Sequence, residues 1–320
     1  MALIDRTGAA ALIPEDAANE IIQSVTTSSA VMQLAKRVPN MSRKQQRLPV
    51  LGSLPSAYFV NGDTGLKTTT TVSWENVYLN AEELAVIVPI PEAVLDDASF
   101  DIWGEVRPAL VEAFGVAVDQ AVFYGTNIPA SWTTNLGAAG LVALATAAGN
   151  TVSAAAYTDL YEALLGETAG GVSGSLGLLE ADGYMATGHV ADTSMKRKLR
   201  NVRSTVGDPI FRTNMQDSTR YDLDGSPIYF PTNGAISAAT ALIISGQWNQ
   251  LVYALRQDIT YKVLDQAVIQ DAAGNTIYNL AQQDMVALRA VMRLGFALPN
   301  PINRMQQTAA SRAPFAVLTA

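Results

Sequence analysis

The stretch LAVIVPIPEAVLDDASFDIWGEVRPALVEAFGVAVDQAVFYGT, residues 84–126, reads as a strand, a short helical turn and a long helix in succession. Residues 84–90 form an unbroken apolar run, the pattern of a buried strand. Pro91 opens a turn of helix through Leu95, where its missing N–H has no partner to lose. Asp101 is placed to cap a second helix that runs to about Tyr124 and stops at Gly125. Val106, Leu110, Ala113, Ala117, Ala121 and Tyr124 recur every three or four residues and predict its buried stripe. Pro108 sits inside that helix and predicts a bend.

Upstream, residues 1–40 read as an extended arm with one short helix. Pro14, Glu15 and Asp16 suit its first turn, and Ile21, Ile22 and Val25 give it an apolar face. Residues 41–60 carry Pro49, Gly52 and Pro55 among apolar residues, which suits an irregular strand. Asn61-Gly62-Asp63-Thr64-Gly65 is a hairpin turn, because Asn and Gly tolerate positive φ. The return arm, Lys67 to Asn80, is rich in Thr and Val and carries Trp74 and Tyr78. A long two-stranded hairpin results. An isolated hairpin is marginal in water, so this one is expected to lie against something else.

Downstream, residues 126–150 read as a loop of Gly, Ala, Asn and Thr. Ser153 is expected to cap a helix to about Leu165, with Ala156, Leu160 and Leu164 in one stripe. A flexible Gly/Ser stretch covers 166–177. A strand near Tyr184, a basic helix over 191–201 and a hairpin turning at Asp224-Gly225 follow, then strands at 241–244, 251–255 and 259–263. In QQDMVALRAVMRLGFAL, residues 282–298, Val286, Leu288, Ala290, Met292, Leu294 and Phe296 alternate with a face that carries Arg289 and Arg293. Spacing two marks a half-buried strand, and the arginine face needs a partner. Strands and helices mix without regular βαβ alternation, so the fold class is α+β.

The chain has 320 residues, 49% of them hydrophobic and 16% charged, enough apolar material for a sizeable core and about two domains. A net charge of −8 disfavours a dedicated nucleic-acid binder, which needs a basic face. The absence of cysteine excludes disulfides, thiolate catalysis and zinc–thiolate sites. Asp5, with no basic region before an apolar stretch, argues against a signal peptide, and no apolar stretch is long enough to span a bilayer.

His189 is the only histidine. A hydrolase would pair it with Ser194 or Ser173, but Gly171-Val172-Ser173-Gly174-Ser175 misses the G-x-S-x-G pattern at its last residue. The glycine-rich 166–177 lacks the Gly-Lys-Ser/Thr ending of a phosphate loop. Asp222-Leu223-Asp224-Gly225 has Arg220 where a calcium loop needs an acid, and reads as a hairpin turn. Lys196, Arg197, Lys198, Arg200 and Arg203 form a solvated helix face, or one that touches nucleic acid or an acidic neighbour. Asp96 and Asp97 are ordinary residues before a helix. No catalytic constellation, cofactor site or metal site emerges.

Three blocks in order carry a family resemblance. AYFVNGDTG (57–65), TVSWENVYLNAEELAVIVPIPEAVLDDASFDI (71–102) and VDQAVFYGT (118–126) make the first. VGDPIF (206–211) with LDGSPIYFPTN (223–233) makes the second. SGQWNQLVYALRQDITYKVLDQA (245–267) with NLAQQDMVALRAVMRLGFALPNP (279–301) makes the third. Together they resemble the major capsid proteins of tailed phages, with the Hong Kong 97-type fold.

That resemblance implies an N-terminal arm over 1–40 and an extended hairpin loop over 41–83. It implies a peripheral domain with a spine helix over 84–129 and 246–320, and an axial domain over 130–245. It implies no enzyme and no cofactor, but a virion component assembled in the host cytoplasm. Many copies, as pentamers and hexamers, would close an icosahedral shell around double-stranded DNA without gripping its sequence or touching a membrane. A portal is implied, and the short segment before the arm helix implies a separate scaffolding protein. Some members crosslink a loop lysine to an asparagine of another subunit. Here the return arm offers only Lys67, near the tip, and Asn76 stands at the aligned position, so no covalent ladder is expected on a denaturing gel. Candidate inter-subunit contacts are Asn61, Asp63, Lys67, Trp74, Glu75, Glu82, Glu83, Arg289 and Arg293, with the arginines expected to meet acids of a neighbouring hairpin or arm. The alternatives are an encapsulin-type nanocompartment shell and, more remotely, a serine hydrolase.

Overall fold

The computed structural model describes residues 29–60, 65–98, 101–137, 139–166, 173–203 and 222–320. The arm helix expected around Pro14 to Val25 lies outside these residues. Within them the chain opens with helix α1 (Ala30–Leu34) and strand β1 (Lys36–Arg37). Strands β2 (Gln45–Leu51) and β3 (Trp74–Asn80) pair antiparallel as the base of the hairpin. Strand β4 (Glu82–Pro91) follows, then the short α2 (Glu92–Asp97) and the 23-residue spine helix α3 (Ile102–Tyr124).

Strand β4 is half-buried rather than buried: Ala85 and Ile87 are exposed while Leu84, Val86 and Val88 turn toward the core. It is the edge of an antiparallel sheet that helices cover on one face, so its other face stays open however apolar its sequence. In α3 the N-cap is Asp101 as expected, but its side chain accepts no helix N–H. The helix is continuous through Pro108 and ends at Gly125, whose φ of 70° is left-handed. The buried stripe is Leu110, Phe114, Val118, Ala121 and Val122, and Ala113 of the expected stripe is exposed. Burying a phenylalanine is worth about 2–3 kcal/mol, more than an alanine returns, so the helix turns its larger side chains inward.

Residues 126–150 are largely helical, where the sequence reading expected a loop: α4 (Thr133–Leu136) and α5 (Gly140–Ala148) fill most of them. Leu136, Leu141 and Ala145 are fully buried in the main core, so tertiary packing supports helices too short to stand alone. The helix expected over 153–165 is also divided. Ser153 belongs to strand β5 (Thr151–Ser153), and Asp159 caps α6 (Leu160–Leu164) by accepting the Glu162 N–H at 2.9 Å. Helix α7 (Ser175–Ala181) begins inside the stretch expected to be flexible; residues 167–172 of that stretch lie outside the described residues.

The strand expected near Tyr184 is β6 (Gly188–Ala191), and Tyr184 sits before it, donating its hydroxyl to Asn300 Oδ1. Helix α8 (Thr193–Arg200) is the basic helix, capped by Asp192. Strands β7 (Asp222–Leu223) and β8 (Ser226–Tyr229) turn at Asp224 and Gly225, both at positive φ. Strand β9 (Ile243–Gly246) precedes β10 (Val252–Leu264), one strand with irregular pairing between Leu255 and Thr260 where two strands were expected. A bulge bends such a strand without ending it. The small hairpin β11 (Val268–Gln270) and β12 (Thr276–Asn279) leads to β13 (Met285–Ala297), and β14 (Phe315–Thr319) closes the chain.

Two main sheets organise these elements. One has the order β1-β10-β13-β4; the other, β5-β14-β9-β6-β8-β7. The 246–320 segment is therefore shared: its last strand lies inside the six-stranded sheet, parallel to β5 and antiparallel to β9. One core runs under both, joined by the edge-to-face contacts Phe123–Trp248 and Trp248–Phe315, with centroids 6.2 and 5.1 Å apart. Leu288, Ala290, Met292, Leu294 and Phe296 of β13 face this core beneath α3, as their alternation predicts.

Candidate subunit-contact surface

The regular ladder of the long hairpin ends at Leu51 and Trp74. Beyond it, hydroxyl groups continue the cross-connection. Gly52 N–H donates to Ser73 O at 2.9 Å, and Ser73 N–H to Ser53 Oγ at 2.8 Å. Farther out, Ser56 N–H donates to Thr70 Oγ1 at 3.1 Å and the Tyr58 hydroxyl to Thr68 O at 3.1 Å. The Ser and Thr content of the two arms thus supplies side-chain rungs where backbone rungs stop. One tether comes from outside: Arg304 donates to Pro55 O at 2.7 Å.

Among what the described loop leaves open are several large apolar side chains. Phe59 is fully exposed, Leu66 is 89% exposed and Trp74 70% exposed. Single exposed apolar residues are common, but several large ones on one extended arm mark a contact surface. Lys67 and Glu75 are exposed beside them, whereas Asn61 and Asp63 lie outside the described residues. The exposed Phe59 and Leu66 were not singled out in the sequence, although their position beside the Asn-Gly turn, with no core behind them, carried the signal.

At the root of the loop the charged candidates converge within one subunit. Arg293 sits directly across from Glu83 in the β13–β4 register, and its Nε and Nη2 donate to Glu83 Oε2 at 2.9 and 2.6 Å. Arg293 thus has an acid partner within its own chain. Strand register explains this pair: residues opposite each other on one sheet face come within reach of each other. Glu82 accepts the Ser131 hydroxyl at 2.7 Å and lies 3.8 Å from the Lys44 ammonium. Arg289 differs. Its cross-strand neighbours are Lys262 and Ile87, and it has no ion pair among the described residues. Beside the Glu82–Glu83 corner a cleft of about 210 Å³ opens between β4 and the end of α3, lined by Leu84, Ala117, Ala121, Pro129 and Trp132.

The hydrolase constellation does not assemble. His189 lies fully buried on β6, with Nδ1 2.8 Å from Ser245 Oγ and Nε2 3.1 Å from Leu223 O. The carbonyl requires a proton on Nε2, so Nδ1 accepts from the serine. Burial pulls the imidazole down from 6.5 to about 4, leaving it neutral near pH 7. Both ring nitrogens are thus taken by Ser245 and Leu223, and neither Ser194 nor Ser173 is the partner of His189. His189 is a structural clasp between β6, β9 and β7.

Comparison with known proteins agrees with this geometry. The model of the phage capsid family matches residues 9–303. The major capsid protein of Staphylococcus phage 80alpha is 26% identical over 277 residues, which cover 86% of this chain and 78% of that protein. A solved structure from Microbacterium phage Oxtober96 superposes with a TM-score of 0.82 at 33% identity, covering 99% of each chain. One from Mycobacterium phage Bobi gives 0.80 at 32% identity, again over 99% of each. With its spine helix, its uncovered hairpin and its two sheets on one core, the chain belongs to the phage capsid family, shell-forming major capsid proteins of bacteriophage with the Hong Kong 97-type fold.

Proposed function

We propose that copies of this chain associate as pentamers and hexamers and close an icosahedral shell around a double-stranded DNA genome. The observation that carries this reading is the long hairpin, whose Phe59, Leu66 and Trp74 have no core of their own to enter. Such an arm is stable only where a second copy covers it, and a contact between two different faces repeats around a closed ring. Residues 130–245 then form most of the axial part at the ring centres, and the α3 sheet and the hairpin form the periphery. Assembly takes place in the host cytoplasm with a scaffolding protein and a portal. Trp74, Lys67, Glu75 and Arg289 are the described contact residues this reading favours, and Asn61 and Asp63, outside the described residues, are proposed with them. Glu82, Glu83 and Arg293 set the angle at which the loop leaves the sheet. The acidic chain, at −8, suits a wall that encloses DNA without holding it tightly.

Negative-stain microscopy of the protein expressed with its scaffolding partner tests the reading. Closed shells of uniform diameter are expected, filled with DNA when taken from virions. A protein that stays monomeric with that partner present, or shells filled with protein cargo, would overturn it.

A further inference from the structure

Asp119 is a fully buried carboxylate in the last third of the spine helix, and two separate parts of the chain converge on it. Its Oδ1 accepts the Ser29 hydroxyl at 2.5 Å and the Val31 N–H at 3.1 Å. Its Oδ2 accepts the Ala30 N–H at 3.0 Å and the Asn233 amide at 3.0 Å. Ser29 in turn caps α1 by accepting the Met32 N–H, and Asn233 is aimed by its own Oδ1, which accepts the Ala235 N–H. No cation takes part in these bonds. Burial pushes the carboxyl pKa up, and the four donated hydrogen bonds act against that cost. An apolar side chain would fit a helix core at far lower cost, so the acid is explained by what it holds. It joins the C-terminal part of the arm (α1), the spine helix (α3) and the 232–236 loop that leads to the six-stranded sheet.

We propose that Asp119 is a positioning residue for shell assembly, which locks α1 to the spine helix so that the described part of the arm, from Ser29 onward, takes one orientation in every subunit. The inference rests on the shell-forming role of the chain and adds the residue that fixes the arm. All four partners arrive as donors, so only a carboxylate, with no proton of its own, can accept from all of them. An amide at this position would turn an N–H toward the Ala30 N–H or the Asn233 amide. Downstream, the arm's next hold is the two-residue β1, which pairs with β10 while Lys36 N–H donates to Leu251 O, so freeing α1 also loosens Lys36 and Arg37. Loss of the joint therefore frees α1 and loosens β1 without unfolding the sheet.

The test compares wild type with Asp119→Asn, and with Ser29→Ala as the milder variant should Asp119→Asn fail to fold. Limited trypsin digestion of the unassembled full chain, read by mass spectrometry, reports cutting after Lys36 and Arg37, directly behind α1. Loss of a charge-assisted bond is expected to raise that rate about tenfold or more. Assembled under the same conditions, the variant is expected to give shells of mixed size or open sheets instead of one diameter. Leu136→Ala, a core truncation away from the joint, serves as the control and should lower thermal stability while keeping one shell diameter. Faster cutting with uniform shells would reduce Asp119 to a local cap and overturn the proposal, as would unchanged cutting. If the wild-type chain itself forms no shells, the shell reading fails while the digestion still decides whether Asp119 holds α1.

Discussion

At the residue scale, His189 shows how a lone histidine in a sequence acquires a role through burial. Its folded pKa of about 4 lies below the 6.5 of an exposed imidazole. Above about pH 6.5 neither the folded nor the unfolded chain protonates it, and its contribution to stability is fully present. As pH falls from 6.5 toward 4 the unfolded chain takes up a proton that the fold refuses, and stability drops. Below about 4 both states carry the proton and the loss levels off. A gap of about 2.5 pH units corresponds to roughly 3 kcal/mol at most. Thermal unfolding of the unassembled subunit between pH 7 and 4 should therefore have a slope that His189→Asn visibly reduces. Equal slopes for the two proteins would mean that the clasp does not titrate. The sequence placed His189 near Ser194; only the strand register of β6 and β9 brought Ser245 to it instead, from 56 residues away.

At the element scale, the β3–β4 corner depends on one missing side chain in β13. A Cβ on Gly295 would stand 2.5 Å from the Asn80 carbonyl oxygen, and that same carbonyl accepts the Trp132 indole N–H at 2.8 Å. Nothing soft lies in the way, since the clash is with backbone. Gly295→Ala should therefore cost roughly 1–3 kcal/mol and lower the thermal midpoint. A variant as stable as wild type would show that the corner can move aside. Glycine alternation within a strand pattern is legible in the sequence as a place of close approach, but what approaches is not. The same limit applies to the spine helix. Its C-terminal end at Gly125 follows from local capping chemistry, whereas its buried stripe was set by which face offered Phe114 and Val118 to the sheet.

At the scale of the whole molecule, the uncovered hairpin separates folding from assembly. Phe59 and Leu66 are exposed in the subunit, so replacing both with Ser should leave its unfolding free energy within about 0.5 kcal/mol of wild type. Shell yield measured by sedimentation should fall sharply, because the side chains that a neighbour would bury are gone. Normal yield would place the contact elsewhere on the chain. The sequence by itself determined the class and much of the order of the elements: alternation in 286–296, the helical period ending at Gly125, and the turn at Asp224-Gly225 are local signals. Tertiary structure decided what those signals lacked. It made helices of residues 133–136 and 140–148 through burial in the main core, split the helix expected after Ser153, and drew the last strand into the second sheet. It also gave Arg293 a partner within its own chain and left Arg289 without an ion pair among the described residues. Local propensity acts over a few residues, while register, burial and partner choice depend on segments that meet only when the chain is folded.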